Sequence, residues 1–317
     1  MGLFSKPQVV FLKESSSAKE QLQKLEELKE KASGEALKAI DKEISIVKAG
    51  IIGEDNIIFE LKNSRMDMVV LRDLYLVSKS GASAQIDFLV LTPKCNFVIE
   101  CKNLFGNIEI TNKGDFIRTI EYGGRKYKEG IYSPITQNQR HMQVLKECRT
   151  DDTGFLKTLI KNATYDTFFK SLVVLANPKT AVNDRWATKE VKEKVIRADQ
   201  LIATIKKINR ESNEFSSSPS ELLKAGQSYL SMNKEQTSDY IQKFEAMITE
   251  TEKPKPETKE IKKEKICPKC GSPLVLREAR RGSYAGEQFY GCSSYPKCHY
   301  MEKIDNSLSE SSNSSGE

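Results

Sequence analysis

Apolar positions recur along this chain with a period that changes from one segment to the next. Between residues 15 and 50, Leu22, Leu25, Leu28, Ile40, Ile44 and Val47 fall at helical spacing, with Ser17 as the expected cap and Gly34 as the break between two helices. A second amphipathic stretch opens at Gly53-Glu54 and carries Ile57, Ile58 and Leu61. From Asp67 to Ser78 the pattern becomes that of a strand. Two β-branched runs between 84 and 102 then flank the break Thr92-Pro93-Lys94-Cys95, which predicts a hairpin. Ile86, Phe88 and Val90 are expected on one face of its first strand, and Asp87, Leu89 and Leu91 on the other. Strands follow at 106–110 and 115–120, with Gly123-Gly124 as a turn and a helix from Pro134 to Leu145. The run 171–177 suits a buried strand joining the central sheet. Trp186 sits in a loop and is expected to pack, 188–209 reads as helical, and two more helices are expected at about 220–231 and 234–250.

Composition narrows the class. With 317 residues, 38% hydrophobic and 30% charged, the chain has room for a core domain and a smaller module. No apolar run approaches the roughly 20 residues that span a bilayer, and the start Met1-Gly2-Leu3-Phe4-Ser5-Lys6-Pro7 has no signal-peptide stretch, so a cytoplasmic protein without membrane partners is expected. Seven cysteines, an odd number with four clustered near the C-terminus, argue against disulfides; Cys95, Cys101 and Cys148 read as ordinary thiols.

The hairpin carries charge where charge is unwelcome. A turn centred on Pro93 and Lys94 sets Asp87 opposite Glu100 and Gln85 opposite Lys102. Two carboxylates about 5 Å apart repel unless a cation lies between them. Mg²⁺ or Mn²⁺ suits such oxygen ligands, and Lys102 on the same face can orient or activate a water.

A more specific motif lies near the C-terminus. Cys267-Pro268-Lys269-Cys270-Gly271 has the spacing of a zinc knuckle, and Cys292 with Cys298 completes a four-thiolate set for Zn²⁺. From Lys253 to Met301 there are eleven Lys and Arg against five Glu, interleaved with Tyr284, Phe289, Tyr290 and Tyr295. Arg280, Arg281 and Lys297 suit phosphates, and Tyr284, Tyr290 and Tyr295 suit stacked bases.

These residues carry two resemblances. Gly53-Glu54, Ile86-Asp87, Glu100-Cys101-Lys102 and the stretch Gln137 to His141 resemble the NERD domain of the PD-(D/E)xK nuclease superfamily, over about residues 45 to 150, with Ile86 standing where the superfamily name has proline. The resemblance implies a restriction-endonuclease-like mixed sheet flanked by helices, in an α/β chain with a helical N-terminal extension and a zinc-ribbon-like module. It also implies site roles for Glu54, Gln137 and His141. Residues 267 to 300 closely resemble the C-terminal zinc finger of type IA topoisomerases, on Cys-Pro-Lys-Cys-Gly-Ser-Pro-Leu, Arg280-Arg281-Gly282, Phe289-Tyr290-Gly291-Cys292-Ser293 and Tyr295-Pro296-Lys297-Cys298. That implies binding of DNA, often single-stranded, without topoisomerase catalysis.

The expected organisation is a helical extension at 1–44, a nuclease-like core at 45–150, an α/β and helical continuation at 151–250, a charged linker at 251–265, the finger at 266–302 and a disordered tail at 303–317. The expected function is metal-dependent phosphodiester hydrolysis by Asp87, Glu100 and Lys102 with Glu54. One rival is a non-hydrolysing nucleic-acid-binding protein that keeps the fold. Another is an adaptor whose N-terminal helices recruit a protein partner or a second copy.

Overall fold

The computed structural model describes residues 7–150, 165–235, 240–252, 265–279 and 286–303. The chain forms two compact units, residues 1–253 and 254–317. The expected linker and tail fall mainly in 253–264 and 304–317, outside the described residues, as do Arg280, Arg281 and Tyr284.

The centre of the first unit is a six-stranded mixed sheet. Its strands are β1 (Val9–Lys13), β2 (Met68–Val77), β3 (Ser83–Leu91), β4 (Asn96–Lys102), β8 (Phe169–Leu175) and β10 (Val195–Arg197), in that spatial order. β2, β3 and β4 are antiparallel neighbours, while β1, β8 and β10 join in parallel. Apolar side chains cover both faces. On one, Ile57, Ile58 and Leu61 pack with Leu201 and Ile205 against Val70, Phe88, Phe97 and Ile99. On the other, Val144, Leu145, Tyr165, Leu222 and Tyr229 pack against Leu71, Leu89 and Val98. Residues 171–175 of the run 171–177 thus lie in β8 of the central sheet, as the continuous apolar pattern implies.

Helix α1 (Ser17–Lys29) and the long helix α2 (Gly34–Lys62) connect β1 to β2. The first half of α2, through Ile40, Ile44 and Val47, packs with Leu25 and with Ile241, Phe244 and Ile248. Its second half lies on the sheet. The expected boundary at residue 45 therefore falls inside one unbroken helix. The cap of α1 is Ser16, not Ser17, because the Ser16 hydroxyl accepts from the Ala18 amide while the Ser17 amide donates to Asp73.

Between β4 and helix α3 (Pro134–Thr150) the chain builds β5 (Asn107–Ile110), β6 (Phe116–Tyr122) and β7 (Arg125–Ile131), and β9 (Val182–Asn183), beyond β8, joins them in a second sheet ordered β7-β6-β5-β9. Gly123 and Gly124 both have positive φ, 57° and 72°, which the two-residue β6–β7 turn requires.

Three expectations change. Residues 188–209 are not one helix: a short helix, Lys189–Lys194, gives way to β10 before a further helix, Leu201–Glu211. Val195 and Ile196 pair with β8, so tertiary pairing outweighs the helical period that the apolar spacing suggested. Trp186 is 64% exposed rather than packed. Ile86 shares a core with Leu89 and Leu91, opposite to Phe88 and Val90, so alternation along β3 breaks at Asp87. Asp73 stands at the matching position of β2, between the pairs Arg72↔Phe88 and Leu74↔Ile86, with φ of 55°, a left-handed value that aspartate tolerates better than most residues.

Candidate functional site

The β3–β4 hairpin turns where expected, with the Thr92 amide donating to the Cys95 carbonyl. Its register pairs Phe88 with Ile99 and Leu91 with Asn96, which is the register drawn from the turn. The ladder stops one step before Asp87 and Glu100. There Asp87 Oδ2 accepts a 2.7 Å hydrogen bond from the Cys101 amide, so a side chain replaces the backbone acceptor. Gln85 does not face Lys102; its amide donates to Asp73 Oδ1 and Ser17 Oγ.

Glu100 is 1% exposed. Its Oε1 lies 2.6 Å from Lys102 Nζ, and its Oε2 lies 3.2 Å from His141 Nδ1 on α3. The latter approach is off the angle of a hydrogen bond, which leaves Glu100 Oε2 and His141 Nδ1 as buried polar atoms without a hydrogen-bond partner. Gln137 lies one turn before His141 on α3, which puts the two on a common face. Asn138 fixes this helix to the sheet: its Nδ2 donates to the carbonyls of Val98 and Leu172, on β4 and β8.

Glu54 comes from α2. Its carboxylate accepts a 2.7 Å hydrogen bond from Nε of Arg72, a guanidinium only 2% exposed in the middle of β2. Gly53, the residue before Glu54, lets α2 pass close to the end of β4: a Cβ there would lie 2.6 Å from Asn103 Cβ and 3.2 Å from Cys101 Sγ. The sequence reading missed Arg72. Its signal was a lone cation inside the apolar run Met68 to Leu76, which demands a buried acid nearby.

The electrostatics follow from crowding. Burial, the Glu100 charge and more distantly Glu54 push the Asp87 carboxyl well above its usual range, against the Cys101 hydrogen bond. Burial raises Glu54 too, with Arg72 opposing. Burial works against the Lys102 charge, but Glu100 and Asp87 outweigh it and raise its pKa, so this ammonium is charged at neutral pH. Asp73 goes the other way: hydrogen bonds from Gln85 and Ser17, with Lys13 beside it, overcome burial and lower it.

In the second unit, β11 (Leu274–Glu278), β12 (Gln288–Cys292) and β13 (Met301–Lys303) form an antiparallel sheet. The four thiols of Cys267, Cys270, Cys292 and Cys298 lie within 4.8 Å of one another, the one cluster of three or more potential metal ligands among the described residues. Sγ separations of 3.7 Å for Cys267–Cys298 and 3.4 Å for Cys270–Cys292 approach the edge of about 3.8 Å that Zn–S bonds of about 2.3 Å give in a tetrahedron. The set fits a structural Zn²⁺. Tyr290 lies under Lys265, and the exposed Tyr295 is flanked by Arg277 and His299. Lys297 is exposed.

Comparison with known proteins finds a match for a segment of each unit. Residues 49–176 match the nuclease-related domain, NERD. Residues 264–307 match the topoisomerase DNA binding C4 zinc finger. The NERD segment thus runs from the second half of α2 through β8, enclosing Glu54, Asp87, Glu100, Lys102, Gln137 and His141. DNA topoisomerase 1 of Methanocaldococcus jannaschii is 51% identical over 47 residues, 14% of this chain and 6% of that protein. The Mycoplasma genitalium DNA topoisomerase 1 is 54% identical over 39 residues, 12% and 5% of the two chains. An uncharacterized protein of Haemophilus influenzae is 37% identical over 46 residues, 14% of this chain and 23% of its own. The chain therefore spans less than a quarter of each of these relatives. No solved structure matches. Among the described residues, no helix is long and apolar enough to cross a membrane.

Proposed function

We propose that the first unit hydrolyses phosphodiester bonds in nucleic acid with a divalent cation, and that the zinc finger holds the same strand. One observation carries this reading: two carboxylates, Asp87 and Glu100, meet at the end of the hairpin with Lys102 beside them and one buried Glu100 oxygen open. Burial first and the Glu100 charge second raise the Asp87 pKa, and such oxygen donors fit Mg²⁺ or Mn²⁺. Asp87 and Glu100 would hold the cation, which supplies Lewis-acid stabilisation of the phosphate charge.

Lys102 stays protonated, so it acts as a hydrogen-bond donor that orients the attacking water or a phosphate oxygen, not as the base. Glu54, fixed by Arg72, adds negative potential beside Asp87 and assists from α2. His141 and Gln137 line the α3 side, His141 with its Nδ1 3.2 Å from Glu100 Oε2 and Gln137 offering an amide to the strand. In the finger, Tyr290, Tyr295 and Lys297 supply base-stacking and phosphate contacts. Two modules on one chain raise each other's effective concentration for a single strand.

The non-hydrolysing reading draws on a different observation. Glu54 is engaged by Arg72 and Glu100 by Lys102, a pairing that holds the fold without any cation. Incubation of the chain with single- and double-stranded DNA and RNA, with Mg²⁺, Mn²⁺ or neither, separates the two. Cation-dependent cleavage that is lost in Glu100→Gln supports hydrolysis. Tight binding without cleavage under every condition supports the rival.

A further inference from the structure

Three strands of the four-stranded sheet β7-β6-β5-β9 are inserted between Lys102, at the end of β4, and Pro134, where α3 begins, and β9 joins them from beyond β8. One face of its β6–β7 hairpin starts in the core, where Phe116 pairs with Ile131. The row then runs outward through Arg118–Glu129 and Ile120–Tyr127 to Tyr122–Arg125. By that point nothing covers it: Tyr127 is 53% and Tyr122 80% exposed. Every residue of β7 from Arg125 to Gly130 is exposed, on both faces of the strand. Between 116 and 131 the hairpin carries Arg118, Arg125, Lys126 and Lys128 against Glu121 and Glu129, with Arg118 paired to Glu129 and Lys128 3.9 Å from Glu109.

Two further aromatics flank the hairpin with cations already on their rings. Tyr132, which follows β7, lies under the guanidinium of Arg140, the residue before His141. Trp186, just beyond β9 at the opposite edge of the sheet, lies under Arg185 at 5.1 Å. Scattered exposed aromatics need no explanation. Here they recur with arginine and lysine around one sheet that borders the site in the chain, and that combination matches bases and phosphates together.

We infer that this sheet is a stacking platform for single-stranded nucleic acid, leading the strand toward Glu100 and Lys102. The inference rests on the nucleic-acid reading above and assigns it a binding surface within the first unit, separate from the finger. Three strand spacings of about 4.8 Å make the platform about 14 Å wide, close to four base steps of about 3.4 Å.

Trp186 is the sole tryptophan, so its emission reports on this surface in the full chain. Titration with a 20-nucleotide oligo-dT and oligo-U, in zinc-replete buffer without Mg²⁺, should quench that emission. Replacing Tyr122 and Tyr127 together by Ala should raise the half-quenching concentration about tenfold or more, given the usual worth of base stacking. The Tyr→Phe pair should restore it, since the ring and not the hydroxyl stacks. Unchanged emission while a labelled oligonucleotide shows saturation on the same chain would overturn the inference. So would identical curves for the Ala pair and wild type, or quenching that tracks protein concentration without oligonucleotide, which would give the sheet to a second copy. Failure of hydrolysis is a separate result: Glu100→Gln should keep the quench whether or not the wild-type chain cleaves.

Discussion

Asp87 on β3 accepts a 2.7 Å hydrogen bond from the amide of Cys101 on β4, the residue after Glu100, at the point where the β3–β4 ladder ends. That bond favours the charged form of Asp87, yet burial and Glu100 prevail and leave its pKa well above 3.8. A carboxyl whose folded pKa is raised contributes stability below the unfolded value, and that stability is lost as pH climbs through the folded value. Cation-free wild type should therefore lose stability from about pH 4 upward more steeply than Asp87→Asn. At pH 8 the variant should be firmer by about 1 kcal/mol, roughly 2–4 °C in Tm. Thermal melts of both chains across pH, with and without Mg²⁺, check this; the cation should stabilise wild type more than the variant.

Glu100 should behave in the opposite way. It is almost wholly buried and bonded to Lys102 at 2.6 Å, so Glu100→Ala leaves a cavity and a half-buried ammonium without its partner. The expected cost is about 3 kcal/mol. Lys102→Ala should also destabilise, because it strands a buried carboxylate. Urea unfolding of the three chains at pH 7 without divalent cation separates the residues: Asp87→Asn should unfold later than wild type and both partners of the ion pair earlier.

The hairpin was legible because its turn fixed its register: once Thr92 to Cys95 is the turn, Asp87 must come opposite Glu100. The break in alternation at Asp87 was not. It depends on a left-handed Asp73 one strand away, held by Ser17 and Gln85, and no local pattern marks that. The zinc set was legible because metal ligation demands a fixed residue type at fixed spacing. β1 and β10 went unread since each is a short edge strand whose apolar residues gain meaning only from the neighbour they pair with. Arg72 and Asn138 were passed over for a related reason. Each is a polar residue in a buried setting, recognisable only through partners far along the chain, Glu54 for one and the carbonyls of Val98 and Leu172 for the other.

The zinc site predicts a division of the molecule. All four cysteines lie in the second unit, and a module this small depends on its metal for folding. Metal analysis should find one zinc per chain in wild type and none in Cys292→Ser. The main thermal transition, which reports the core around Phe88 and Phe97, should stay within about 1 °C of wild type. Zinc-free wild type would refute the assignment, and a collapsed main transition in Cys292→Ser would show that the two units do not fold separately.

Helix α2 contains an internal control for the way it seats Glu54. Gly50 and Gly53 lie three residues apart in the same helix, and replacing glycine by alanine inside a helix ordinarily stabilises by about 0.5–1 kcal/mol. At Gly50 an added Cβ meets nothing within 4 Å, so Gly50→Ala should show that gain. At Gly53 the same methyl meets Asn103 Cβ at 2.6 Å, and that atom is anchored to the backbone just past Lys102, so it cannot swing aside. Either α2 or the end of β4 must move, at a cost of about 1–3 kcal/mol. Because Glu54 follows Gly53 directly, the shift also displaces its carboxylate from Arg72 and from Asp87. Gly53→Ala should thus lower Tm and reduce cation-dependent cleavage, while Gly50→Ala raises Tm and leaves cleavage intact. Equal behaviour of the two variants would mean that the close approach of α2 to β4 is not what seats Glu54.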